Sequence, residues 1–70
     1  MGGSSGRAVV VGLGVTGRAV TRHLVDRGWD VVVVEDAPGP TTAGEVSALG
    51  ARLGDADDAA GADLVVPNPG

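Results

Sequence analysis

Six residues constrain this chain more than any others: Gly12-Leu13-Gly14-Val15-Thr16-Gly17, a G-x-G-x-x-G run set between two apolar stretches at residues 8–11 and 31–34. Apolar runs that are continuous rather than alternating mark strands covered on both faces, as in parallel sheets. Between them, residues 15–27 read as a helix: Gly17, Val20 and Leu24 share one face at spacings of three and four, and Arg18 and Arg22 lie on the opposite, solvated side. Gly28 follows at once, where a left-handed stop is favoured. Strand, helix and strand in this order make a right-handed crossover, with the glycines at its first bend.

Downstream the pattern repeats more weakly. Pro38-Gly39-Pro40 reads as a rigid turn, and Thr42 with Glu45 three residues later has the spacing of a capping box before a short helix at 43–49. Gly50 ends that helix and residues 51–53 read as a third strand. Asp55 and Asp58 repeat the capping spacing before one or two helical turns, and Leu64–Val66 is a fourth strand closed by Pro67. The expected fold is therefore α/β and Rossmann-like: part of a doubly wound parallel sheet of about four strands in the order 3-2-1-4. Residues 1–6 are expected to form a flexible leader, and 7–70 an incomplete domain cut after its last strand.

Composition narrows the chemistry. The sequence has no cysteine and one histidine, which excludes thiolate chemistry and a histidine metal cage. A net charge of −4 argues against nucleic-acid binding. All five basic residues are arginines, so the lysine of a phosphate-gripping P-loop is missing. No run approaches the ~20 apolar residues of a membrane span, and the start lacks the features of a secretory signal; a cytoplasmic location is expected. A chain of 70 residues buries only about 60% of its unfolded surface, which predicts marginal stability.

Each motif glycine has a physical task. Gly12 permits the tight turn, Gly14 leaves room for a diphosphate against the backbone, and Gly17 lets the helix pack closely on the strands. The unpaired amides of the first helical turn then face an anion, helped by the helix dipole. Glu35 and Asp36, 18 and 19 positions beyond Gly17, fall at the carboxyl end of the second strand. There a carboxylate accepts hydrogen bonds from ribose hydroxyls or a base N–H; an ordinary solvated strand end is the alternative. Thr16 either donates its hydroxyl to a phosphate or caps the helix. His23 reads as a partly exposed helix residue, Trp29 as cover for apolar surface at a strand entrance, and Asp55, Asp57 and Asp58 as helix-start caps rather than a cation site.

The strings Val10-Val11-Gly12-Leu13-Gly14-Val15-Thr16-Gly17, Val33-Val34-Glu35-Asp36 and Ala62-Asp63-Leu64-Val65-Val66-Pro67-Asn68-Pro69-Gly70 resemble the amino-terminal domain of the Mur ligases that add D-glutamate to UDP-N-acetylmuramoyl-L-alanine. The resemblance implies a three-domain cytoplasmic enzyme of peptidoglycan synthesis. Its first domain would hold the UDP end of the substrate, its central domain ATP and Mg²⁺, and its last domain D-glutamate. It also implies that Val15 and Thr16 contact the UDP-sugar, that Glu35 and Asp36 lie near uracil, and that Gly70 belongs to an S-P-G turn. Asn68 stands where that family usually has serine, and Ala37 where some members carry arginine against the uracil. The substrate site so implied comprises Gly12, Gly14, Val15, Thr16, Gly17, Glu35, Asp36, Asn68 and Gly70, with no catalytic residue and no metal. The remaining alternative is an NAD(P)-binding module of a dehydrogenase or an NAD-sensing regulatory domain, with Glu35 on the adenosine ribose.

Overall fold

The computed structural model describes residues 6–67. Both valine runs are strands, β1 (Arg7–Val11) and β2 (Asp30–Val34), and the helix between them is α1 (Val15–Asp26). A short helix α2 (Thr42–Ala48), a strand β3 (Arg52–Gly54), a single helical turn α3 (Asp57–Ala60) and a strand β4 (Leu64–Val66) follow. All pairings are parallel and the order is β3-β2-β1-β4, as the strand–helix alternation predicts. Among the described residues no helix is long and apolar enough to cross a membrane.

Register assigns the side chains to two faces. Ala8 and Val10 of β1 stand beside Val31 and Val33 of β2, and all four are buried beneath α1 and α2 together with Leu24 and Val46. Val9 and Val32 alternate to the other face and are fully buried there. The chain steps from β1 through β2 to β3 and then returns to the far side of β1. With right-handed crossovers, that reversal carries α3 to the opposite face from α1 and α2. A Cβ built on Gly54 would strike both Val32 and the carboxylate of Asp58, which sets α3 over this second valine layer. Burial of each valine contributes about 1.5–3 kcal/mol, so the two layers supply most of the apolar driving force. At the β4 edge the cover is thinner, and Leu64 and Val65 stay 36% and 44% exposed.

Both longer helices end by the same device. After α1, Gly28 at φ 90° donates its N–H to Val25 and Trp29 donates to Leu24, a Schellman closure that folds Trp29 back onto the core. After α2, Gly50 at φ 88° donates to Ser47 and Ala51 donates to Val46. This second closure moves β3 one residue beyond the expected 51–53, because the Ala51 amide is spent on the helix end and ladder pairing begins at Arg52.

The two expected caps have different outcomes. Ahead of α3, the Asp55 carboxylate accepts from the Asp57 N–H at 3.1 Å, and the Asp58 carboxylate accepts from the Asp55 N–H at 3.0 Å. The second is the bond that the three-residue aspartate spacing predicts; the first spans two residues, and the cap position itself is Ala56, which has no side-chain bond. The capping box expected from Thr42 and Glu45 does not form. Thr42 is already inside α2, the cap position is Thr41 with no side-chain bond, and the Thr42 hydroxyl accepts from the Gly39 N–H at 2.7 Å. Glu45 instead pairs with Arg18 at 2.8 Å, a charge-assisted contact that outbids a neutral amide.

Gly6, expected in the leader, belongs to the sheet's rim: its carbonyl accepts from the Asp30 N–H at 2.9 Å. Around it, Arg7 and Arg52 flank Asp30 at 3.6 and 3.9 Å, and Asp63 accepts from the Arg7 N–H at 2.9 Å. These exposed pairs sit at the amino edge of the sheet and contribute at most about 1 kcal/mol each.

Val46 is the one fully buried apolar residue of α2 and holds that helix against the sheet. Val46→Ala is expected to cost about 1–3 kcal/mol, read as a lowered thermal midpoint, whereas Ala48→Ser on the exposed side of α2 leaves the midpoint within about 4 °C.

Candidate nucleotide site

The site begins where β1 ends. Gly12 takes φ 89°, a left-handed conformation open to glycine at little cost, and its N–H donates to the Val34 carbonyl at 2.8 Å. That bond carries the β1–β2 pairing one residue past β1 and seats the loop beside the end of β2, where Glu35 begins. Leu13 then turns inward and is 9% exposed, pinning the loop to the core.

The next three residues stand clear of the protein. Gly14 is the N-cap of α1 and, like Val15 and Thr16, is exposed; Val15 is 88% exposed. The first helical amide with an acceptor is that of Arg18, which donates to the Gly14 carbonyl at 2.9 Å. The amides of Val15, Thr16 and Gly17 precede it in the helix start, where N–H groups have no intrahelical partner. No acidic side chain in the first turn of α1 neutralises them. The result is a patch of positive potential equivalent to about half a charge, in a chain whose net charge is −4.

The glycines divide the work as the motif requires. A Cβ on Gly17 would collide with the Gly12 carbonyl oxygen, so only glycine lets α1 come this close to the bend. A Cβ on Gly14 would meet nothing within 4 Å. Packing therefore demands Gly17 and does not demand Gly14, whose bareness leaves space above the amides for a ligand. The Thr16 hydroxyl makes no hydrogen bond among the described residues, so of its two expected roles the helix cap is not realised.

Glu35 is half-buried and Asp36 exposed at the end of β2, and neither carboxylate has a hydrogen-bond or ion-pair partner among the described residues. Their acceptors face the same carboxyl edge as the loop. Asn68 and Gly70 lie outside the described residues. His23 is exposed in the last turn of α1, on the far side of the molecule from the loop. Leu13 and the Arg18–Glu45 pair are the parts of the site that motif reasoning passes over. The apolar second position of the motif signals the first, and nothing local signals the second. Among the described residues no enclosed cavity forms, and the loop is an open ledge.

Comparison with known proteins agrees with this geometry. Residues 6–70 match the model of the "Mur ligase MurD-like, N-terminal domain" family. The chain belongs to this family. Within the solved structures it is similar to glutamyl-tRNA reductase from Methanopyrus kandleri, with a TM-score of 0.70, 30% identity and coverage of 89% of this chain and 16% of that one. Within the curated proteins it is 40% identical over 50 residues to the Trk system potassium uptake protein TrkA of Mycobacterium tuberculosis, covering 71% of this chain and 23% of that protein. The chain thus spans less than a quarter of the length of the curated relatives it matches. What the MurD-like domain shares with these relatives is the Rossmann-type crossover.

The different duties of the glycines predict unequal stability effects. Gly17→Ala is expected to lose about 1–3 kcal/mol through overpacking, although alanine has the higher helix propensity. Gly14→Ala is expected to stay within about 1 kcal/mol, reflecting only a poorer N-cap. Thermal unfolding of the two variants side by side is the check; equal losses would contradict the assignment.

Proposed function

We propose that this chain is the UDP-substrate-binding part of an ATP-dependent ligase that joins D-glutamate to UDP-N-acetylmuramoyl-L-alanine in peptidoglycan synthesis. One observation carries the reading: the amides of Val15, Thr16 and Gly17 open onto unobstructed space at Gly14, in a domain of the MurD-like family. A diphosphate is the anion that matches such a helix start, since its oxygens accept several N–H bonds while its charge meets the dipole. Val15 offers exposed apolar surface, and Thr16 an uncommitted hydroxyl, to the sugar that follows the diphosphate. Glu35 and Asp36 supply acceptors for the nucleoside at the end of β2. Asn68 and Gly70 complete the site in this reading.

The chemical step belongs elsewhere in the protein. In this reading ATP phosphorylates the substrate carboxylate, and the amine of D-glutamate attacks the acyl phosphate in central and carboxy-terminal domains. The residues present do not fit the ATP and Mg²⁺ machinery: the sequence has no lysine, and no group of three acidic or histidine side chains gathers to hold a metal among the described residues. No phosphoryl transfer is therefore assigned to this chain, whose part is to hold and orient. A cytoplasmic location accompanies the reading, because its nucleotide-linked substrate and ATP are cytoplasmic.

A second reading, a dinucleotide-binding module, is favoured by the likeness to a reductase and by the uncommitted Glu35 at the position where the dinucleotide fingerprint places a ribose-binding acid. Calorimetric titration of the full protein separates the two. Trp29 lies at the opposite edge of the sheet from the loop, so heat is a better readout than fluorescence. Saturation by UDP-N-acetylmuramoyl-L-alanine with no response to NADH supports the ligase, and the reverse overturns it. In the active ligase, Gly14→Val is expected to raise the KM for the UDP substrate at least about tenfold, ~1.4 kcal/mol, with the KM for ATP unchanged. A P-loop of the form G-T-N-G-K-[ST] is expected downstream in the continuing reading frame.

A further inference from the structure

We propose that Arg18, which pairs with Glu45, is a switchable phosphate ligand that exchanges Glu45 for the nucleoside diphosphate when the loop is filled. This inference rests on the loop's binding a diphosphate and adds to it a second, side-chain contact that the glycine motif does not contain.

Position is the first support. Of the five arginines, Arg7 and Arg52 begin strands at the amino edge, and Arg22 and Arg27 lie further down α1 or at its end. Arg18 alone stands at the carboxyl edge, one turn into α1. Helical side chains lean toward the helix N-terminus, so its stem runs back over the turn that begins at Gly14. Gly14 is also its neighbour four residues earlier, and a Cβ there meets nothing within 4 Å. The bare glycine thus leaves an open path between the guanidinium and the space above the amides.

The present partner is the second support. Arg18 Nη2 donates to Glu45 Oε1 at 2.8 Å, with the two side chains 45% and 42% exposed. An exposed pair of this kind contributes little net stability and is readily exchanged. Glu45 lies in the first turn of α2, where the positive helix end still compensates its charge after Arg18 departs. A phosphate bears more charge than a carboxylate and takes a guanidinium in a bidentate geometry. Exchange is downhill when a diphosphate occupies the loop, and Glu45 then sets affinity by competing with the ligand.

The test is calorimetry on the full protein with UDP and with uridine as probes, thermal unfolding confirming that each variant is folded. Glu45→Gln frees Arg18 and is expected to tighten UDP about threefold, leaving uridine unchanged. Arg18→Met is expected to weaken UDP about tenfold, and Arg18→Met with Glu45→Gln to match Arg18→Met alone, since Glu45 acts only through Arg18. Unchanged UDP affinity in Glu45→Gln and Arg18→Met, with affinity lost in Gly14→Val, overturns the switch and leaves the loop reading standing. UDP affinity indifferent to all three positions overturns both. Should Arg18→Met unfold, Arg18→Lys replaces it, with an expected loss of severalfold because an ammonium lacks the bidentate fork.

Discussion

The close approach of α1 to the bend after β1 is the contact from which the rest of this structure follows. It exists because position 17 has no side chain, so the helix backbone rests against the Gly12 carbonyl where any Cβ would collide. From that approach come the seat of Leu13 in the core, the burial of Leu24 over the valines, and the aim of the first amides of α1 past Gly14. The helix start is consequently held through Leu13 and Gly17 on one side, while Gly14, Val15 and Thr16 stay exposed on the other.

The two Schellman closures matter for the same reason. Each returns the chain sharply to the amino edge of the sheet and satisfies helix carbonyls that would otherwise need other donors. With the helix ends fixed there, both helix starts are held at the carboxyl edge. The positive ends of α1 and α2 therefore face the same ledge as the two carboxylates after β2. The site alternates positive and negative potential over a short distance. A nucleotide has the same alternation, with an anionic diphosphate at one end and N–H or hydroxyl donors at the other.

Electrostatics at long range work against such a ligand. A chain of charge −4 repels anions, but screening over about 8 Å at physiological salt confines the repulsion. In the proposed reading, attraction comes from groups in direct contact, namely the three amides and Arg18.

Periodicity and glycine placement by themselves determined the number of strands, their parallel order, the first helix, and the packing tasks of Gly12 and Gly17. Each of these follows from local constraints, such as a forbidden Cβ, a continuous apolar run or a left-handed stop. The bond from the Asp55 N–H to the Asp58 carboxylate before α3 was legible because its partners lie three residues apart. What only tertiary structure decided are the outcomes of competition between near and distant partners. Glu45 had a local use as a cap, but folding brought Arg18 within 2.8 Å from 27 positions away, and the charged partner won. The Ala51 amide had a place in the third strand, but the end of α2 claimed it first. Local sequence states which bonds a group can make; only the assembled chain shows which of its possible partners arrives with the better charge and geometry.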